Sequence, residues 1–380
     1  MELRNDEWDD ISDSELLHIE IDPHCSDHPP QPSCSGTVTR KDIPSSPSSL
    51  HRTEECLDKR IIERDEERGE KRKRNSEGGH SPLLRFMKRH LSVTQLCEQT
   101  WCEMKVEYGF RKPQIRKTEK QRTEVQTGAK IHLARELEVH TVVPLHAQSR
   151  EDSFAIRLLN ILHMIPKLEA GKCVREIPVF GVVEGVHLKG VIDELSYNQK
   201  GELVLNELKT RRQETLPGAA QSLGHSLQVG LYKILFDGMV RGGLRREHII
   251  DHFKLKASMA LGNEIQKHSA KIGIQVTTLG ELVDTLLMVL SCTDVPRIDL
   301  LQIEYRHQDS NNLIGSRVVP YDEAQLRSEL QGYLAYWTGQ REPRGVDIEE
   351  AWKCRMCPYD QICVWRKNRS QAPEILHTNK

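Results

Sequence analysis

Residues 190–212 read GVIDELSYNQKGELVLNELKTRR, two apolar runs around a polar turn, each run carrying an acid in its interior. Gln199-Lys200-Gly201, with a glycine free to take positive φ, is the signature of a three-residue hairpin loop. Centring the turn on Lys200 sets Asp193 opposite Glu207 across the two strands. Carboxylates opposed in this way lie about 5 Å apart and repel unless a cation lies between them. Side chains alternate along a strand, so Glu207 and Lys209 share one face while Leu208 turns into the core. Two acids and a lysine therefore converge. Hard cations such as Mg²⁺ are held by one or two carboxylates with phosphate oxygens and water, and they assist in-line displacement at phosphorus. A lysine beside them steadies the nucleophile or the developing charge. The spacing alone also fits a half-exposed hairpin with ordinary surface charge.

On either side of this stretch the pattern is mixed. LLRFMKRHLSVTQLCEQTWCEMKVEYGF (83–110) has helical apolar spacing, with Ser92 or Thr94 available as a cap. GAKIHLARELEVH (128–140) is a helix that places His132 and Glu136 on one face. SFAIRLLNILHMI (153–165) is a strongly apolar helix, and EIPVFGVVEG (176–185) is a strand. After the hairpin comes a helix over 219–240, in which Gln228 and Tyr232 stand four apart on one face. Residues 243–300 read as largely helical, 301–307 and 316–320 as strands, and 322–338 as a helix. Helix, consecutive strands and helix again predict a mixed α/β (α+β) core with a central mixed sheet, not a doubly wound parallel one.

The chain of 380 residues is 37% hydrophobic and 29% charged. It holds no run of eighteen apolar residues and no apolar amino-terminal segment, so neither a membrane span nor a secretory signal is expected and an intracellular protein is. Residues 1–60 carry a charge of −8 against −2 for the whole, which leaves +6 on the remainder and permits phosphate binding. Residues 1–80 are acidic, then Pro/Ser-rich, then a charge run. They are expected to stay disordered because they cannot bury enough apolar surface to offset chain entropy. Within them, DISDSELLHIEID is a candidate partner motif and Lys71–Arg74 (KRKR) a candidate nuclear-import signal or nucleic-acid arm. The folded domain is expected over 81–368, with a flexible tail at 369–380.

Ten cysteines without a secretory signal read as thiols or metal ligands rather than disulfides. Cys25, Cys34 and Cys56 are incidental, and Cys173 and Cys292 sit beside apolar runs as buried thiols would. Cys354-x-x-Cys357-x5-Cys363 offers three soft ligands in ten residues, and a thiolate site needs a fourth. Cys102 is the choice and Cys97 the alternative. The site would staple the start of the folded chain to its end. Spacing does not separate Zn²⁺ from an iron–sulfur cluster.

GVID, thirteen residues, then ELK resembles the core of PD-(D/E)XK nucleases of the RecB type, and Gln228 with Tyr232 matches that group's Q-x-x-x-Y element. Together with Val93–Phe110, the G-x-x-x-H of Gly128 and His132, and the terminal cysteines, these motifs resemble the vertebrate exonuclease V family over about residues 85–368. Proline is missing before the aspartate, where Ile192 stands. The resemblance implies a Mg²⁺-dependent (Mn²⁺ also accepted) exonuclease of single-stranded DNA that acts in DNA repair. It implies Asp193, Glu207 and His132 as metal ligands, Lys209 as the catalytic lysine, and Gln228 and Tyr232 as residues orienting the scissile strand. Arg211 and Arg212 are candidates for phosphate contacts. Cys102, Cys354, Cys357 and Cys363 would hold a [4Fe–4S] cluster. Single-stranded DNA and a single-strand DNA-binding protein are the expected partners of a monomer in the nucleus, with the cytoplasm and mitochondria left open. The competing classes are a non-catalytic DNA-binding module and a zinc-stapled scaffold for protein partners.

Overall fold

A computed structural model describes residues 18–21 and 81–370. The KRKR run, Cys25, Cys34, Cys56, most of DISDSELLHIEID and nearly all of the tail lie outside the described residues. In chain order the elements are β1 (His18–Ile21), α1 (Pro82–Arg85), β2 (Leu91–Ser92), α2 (Val93–Gln99), α3 (Glu103–Arg111), α4 (Pro113–Lys120) and α5 (Thr123–Glu136). There follow β3 (Thr141–Pro144), α6 (Arg150–Glu169), β4 (Val174–Val183), β5 (Val186–Tyr197), β6 (Leu203–Arg211) and α7 (Ala219–Val240). The chain continues through α8 (Arg246–Phe253), α9 (Asn263–Lys271), α10 (Leu279–Cys292), β7 (Leu300–His307), β8 (Leu313–Val319) and α11 (Glu323–Trp337). A 3₁₀ segment over Ile348–Met356 and α12 (Val364–Ser370) close it.

The main sheet is mixed and six-stranded. The fold is the mixed α+β that the sequence predicts, with helices against the sheet. β4 and β5 are antiparallel, β5 and β6 form the hairpin, β6 and β7 run parallel, and β8 returns antiparallel to β7. The parallel pair needs a long crossover, which α7 to α10 supply. β1 pairs antiparallel with β3 in a separate two-stranded sheet.

Local chemistry sets the element ends. Ser92 caps α2 in a reciprocal box with Gln95, as does Thr278 with Glu281 at α10. Ser149 starts α6, which runs past Ile165 through Pro166 in its last turn. α6 buries a broad apolar face, and Ile156, Leu159, Ile161 and Ile165 are fully buried in one core with Ile177, Ile192, Leu205 and Val229. The hairpin turn is as read: Gly201 has φ +78°, and Asn198 and Glu202 close the loop at 3.0 Å.

The feature that builds the site is a fork. β4 lines one edge of β5 along most of its length, while the other edge is shared by β2 at Leu188–Lys189 and β6 at Glu194–Tyr197. Between those two partners, Gly190–Asp193 pairs with neither. Glu194↔Asn206 is the last pair of the hairpin ladder, so the strands part at the next position, Asp193 and Glu207.

Candidate active site

The register centres on Lys200 as expected, but Asp193 and Glu207 are not laddered. With the strands apart, the Leu208 amide donates to Asp193 Oδ2 at 2.7 Å. β4 is distorted at the same level. Its ladder with β5 pairs Arg175 with Glu194 and Ile177 with Ile192, yet skips Glu176 opposite Asp193. Glu176 has φ +54°, a left-handed backbone that costs a non-glycine residue on the order of 1–3 kcal/mol. The twist brings its carboxylate to Asp193. From α5, His132 Nδ1 lies 3.6 Å from Asp193 Oδ2 and 3.8 Å from Glu176 Oε1. These three residues bring one ligand atom each within 4.8 Å of one another, the one such group of His, Cys, Asp or Glu among the described residues.

Glu207 stands beside this trio. Its carboxylate is 1% exposed; Oε1 takes Lys209 Nζ at 2.6 Å, and Oε2 is buried with no hydrogen-bond partner. Lys209 also donates to Gln228 Oε1 at 2.8 Å, and Gln228 Nε2 donates to the Tyr232 hydroxyl at 3.0 Å. Gln228 and Tyr232 are thus buried supports of Lys209 from α7. A Cβ added at Gly190 would overlap the Tyr232 ring, which is why the fork begins at a glycine. Leu208 is buried as read, but it lines the small hollow under His132 and Asp193 instead of joining the main core.

Burial raises the Asp193 carboxyl, against the pull of His132, with Glu176 adding to the rise. Burial and then Asp193 push Glu207 up to about 7, although Lys209 opposes them. His132 goes up to about 9: burial disfavours its charge, but Asp193, Glu176 and Glu207 outweigh burial. Burial likewise works against charge on Lys209 and loses to Glu207 and Asp193. Burial first, and then the neighbouring acids, raise Asp193 and Glu207, and a divalent cation would relieve the repulsion among these carboxylates. The unpartnered Glu207 Oε2 and the His132, Glu176 and Asp193 trio fit an oxygen-rich site for a hard cation.

α5 itself is weakly tied to the core, with Val125, Leu133 and Leu137 exposed. It is held by charge: Arg135 bonds Glu194 at 3.2 Å and Glu304 at 3.0 Å, while Arg175 bonds Glu194 at 2.8 Å and the Arg135 carbonyl. Glu176 and Arg135 are not singled out by the sequence reading. In the sequence Glu176 shows only as an acid at the head of the EIPVFGVVEG run, with nothing there to foretell the twist that turns it to Asp193.

Cys292 is exposed and Cys173 half-buried, so neither is the buried thiol that its apolar neighbours suggest. Cys102 begins α3 and lies with Cys357 and Cys363 among Met104, Tyr108 and Tyr359. Burial raises the Cys102 thiol to about 11, with Cys357 and Cys363 adding to it, and burial and the same two neighbours raise Cys354. Cys97 is elsewhere: burial raises its thiol, and its charged neighbours are Lys209, Glu207 and Glu98. Tyr108 ties the two chain ends, donating to the Ile362 carbonyl at 3.2 Å and accepting from the Val364 amide at 3.1 Å. Arg211 bonds Gln221 and Arg212 bonds Glu124, both at the end of β6.

The chain matches the family described as "Exo5: Exonuclease V - a 5' deoxyribonuclease" over residues 81–204, 198–281 and 266–366. It is 58% identical to "Exonuclease V" of Danio rerio over 370 residues, covering 96% of this chain and 93% of that one. A 66-residue stretch is 24% identical to "Exonuclease V, mitochondrial" of Candida albicans, covering 17% of this chain and 10% of that one. The crystal structure of SSO0001 shares 15% identity at TM-score 0.38, covering 73% of this chain and 87% of that one, too distant to carry an argument. Matches along nearly the whole folded region, with the motif residues gathered at one fork in the sheet, make the chain a member of the exonuclease V family and a DNA exonuclease.

Proposed function

We propose that the chain hydrolyses single-stranded DNA from a free end in a Mg²⁺-dependent reaction and serves DNA repair. The observation that supports it most is the group His132, Glu176 and Asp193 beside a buried, unpartnered Glu207 Oε2. His132, Glu176, Asp193 and Glu207 would hold the cation. A bound divalent cation supplies Lewis-acid stabilisation of the phosphate charge and a water of lowered pKa. Lys209, kept charged by Glu207 and Asp193, would donate a hydrogen bond to the attacking hydroxide or to a phosphate oxygen from a fixed position, because Glu207 and Gln228 hold its Nζ. Tyr232 fixes Gln228 in turn. Lys209→Ala is expected to slow turnover by about 10² or more.

Cys102, Cys354, Cys357 and Cys363 would hold the [4Fe–4S] cluster. What supports this is that Cys102, Cys357 and Cys363 pack into one small cluster where the two folded ends meet. A 5′ polarity, as in the family's description, is part of the proposal, and so is nuclear import through Lys71–Arg74.

The test incubates anaerobically purified protein with single strands and duplexes labelled at either end, with Mg²⁺ or with chelator. Cutting of single strands with Mg²⁺ alone supports the proposal; cutting that is indifferent to metal, or confined to duplex, ends it.

A further inference from the structure

A cleft of about 920 Å³ opens where β6 ends, two residues beyond Lys209. Its walls come from the end of α2, from α3 and α4, the start of α5, Thr210–Gln213, Gln221 of α7 and the cysteine-bearing loop at Met356, Pro358 and Tyr359. Five cations line it: Lys105, Arg116, Arg122, Arg211 and Arg212. Three acids, Glu98, Glu119 and Glu124, face them. The volume lies at the upper end of the range for ligand pockets, and the cations outnumber the acids, so the cleft suits an extended polyanion.

The acids are not scattered. Glu124 accepts from Arg212 at 2.7 Å and Glu98 from Arg116 at 3.4 Å, each pair joining two different segments of the wall. Glu124 sits in the first turn of α5, where its own backbone N–H and then Arg212 hold its carboxyl below the usual range. An anion at that spot meets both the helix start and a guanidinium. A phosphate fills the same role with more charge. Both side chains of the Arg212–Glu124 pair are exposed, and such pairs contribute little to stability. Arg211 Nε, on the same wall, is buried with no hydrogen-bond partner.

We propose that this cleft holds the sugar–phosphate backbone of the strand adjoining the scissile bond, and that Glu124 and Glu98 occupy Arg212 and Arg116 until phosphates displace them. This deepens the exonuclease reading and rests on it. The acids then act as a latch: they keep the cleft from closing on stray anions and set how tightly the strand is held.

The test uses the full-length protein in chelator, so that strands bind without being cut, and titrates a fluorescein-labelled oligothymidylate across a salt series. Arg212→Ala is expected to weaken binding and to reduce the slope of log affinity against log salt by about 0.7, the share of one phosphate on a single strand. Arg212→Lys should recover part of the loss. Glu124→Gln should tighten binding about two- to fivefold, the worth of one exposed ion pair, and should change nothing in the Arg212→Ala background. Wild-type affinity and slope in Arg212→Ala would overturn the cleft assignment. Tightening by Glu124→Gln that is equal in both backgrounds, or no tightening at all, would overturn the latch. Wild-type protein that binds no single strand removes the single-strand reading on which the proposal rests, a result separate from normal binding with indifferent cleft variants.

Discussion

At the residue scale, the site is made by side chains that violate the strand pattern around them. Glu176 is the sharpest case: a β-strand residue in a left-handed conformation, aimed at another acid. Such strain persists only where the surroundings over-determine it. Glu176→Gln removes a charge from the repelling group and keeps the shape, so the metal-free protein should be at least as stable. The Mg²⁺ concentration for half-maximal cleavage should rise about tenfold or more, read from metal titrations of turnover beside thermal unfolding. An unchanged metal requirement would return Glu176 to a structural role. Gly190 makes the opposite point, because what matters there is the absence of a side chain. Gly190→Ala drives a methyl into the buried Tyr232 ring, and overpacking of this kind costs about 1–3 kcal/mol. Since Tyr232 holds Gln228 and Gln228 holds Lys209, turnover should fall with stability; denaturant midpoints and kcat on the same preparation check both. Asp193, Glu207 and Lys209 stood out as residues because acid and lysine inside apolar strands are costly without a purpose, whereas His132, on a helix, was singled out only by the resemblance. Glu176 was not legible, since its contribution comes from a backbone twist that alternation does not foretell.

At the element scale, the hairpin was the most legible part. Loop length and Gly201 fix its register, and the register alone puts Asp193 level with Glu207. The parting of the strands at that level depends on β2 taking the far half of the β5 edge, a two-residue pairing with no signal of its own. α6 runs beyond Ile165 because burial of its apolar face offsets the lost backbone bond and the ring clash that Pro166 introduces in the last turn. α5 was legible as a helix, yet its docking was not, because it is clamped by ion pairs in place of an apolar stripe. Arg135→Ala should therefore loosen α5 and displace His132 without substituting any residue of the proposed metal site. The expected result is a loss of about 1–3 kcal/mol with a raised Mg²⁺ requirement and partial recovery in Arg135→Lys, seen in unfolding curves and metal titrations. Lost stability with an unaltered metal requirement would mean that the clamp only supports the fold.

At the scale of the whole molecule, the chain's two folded ends meet at α3. Tyr108 and the Arg341–Glu103 pair already join them, so the proposed ligation at Cys102, Cys354, Cys357 and Cys363 would add to a contact that side chains prefigure. Closing so long a loop couples ligand binding to stability. Anaerobic protein should carry iron with absorbance near ~400 nm, an order-of-magnitude expectation for thiolate clusters. Alanine at any of the four cysteines should bleach it and Cys97→Ala should not; stoichiometric zinc without iron would contradict the cluster while leaving the staple. The central claim is narrower: chemistry occurs where the sheet forks. Its most direct measurement compares wild type and Asp193→Ala on an end-labelled single strand, both at saturating DNA in Mg²⁺, with occupancy checked by fluorescence anisotropy. The account predicts full occupancy in both and turnover only in wild type. Cleavage by Asp193→Ala at a near wild-type rate would contradict it.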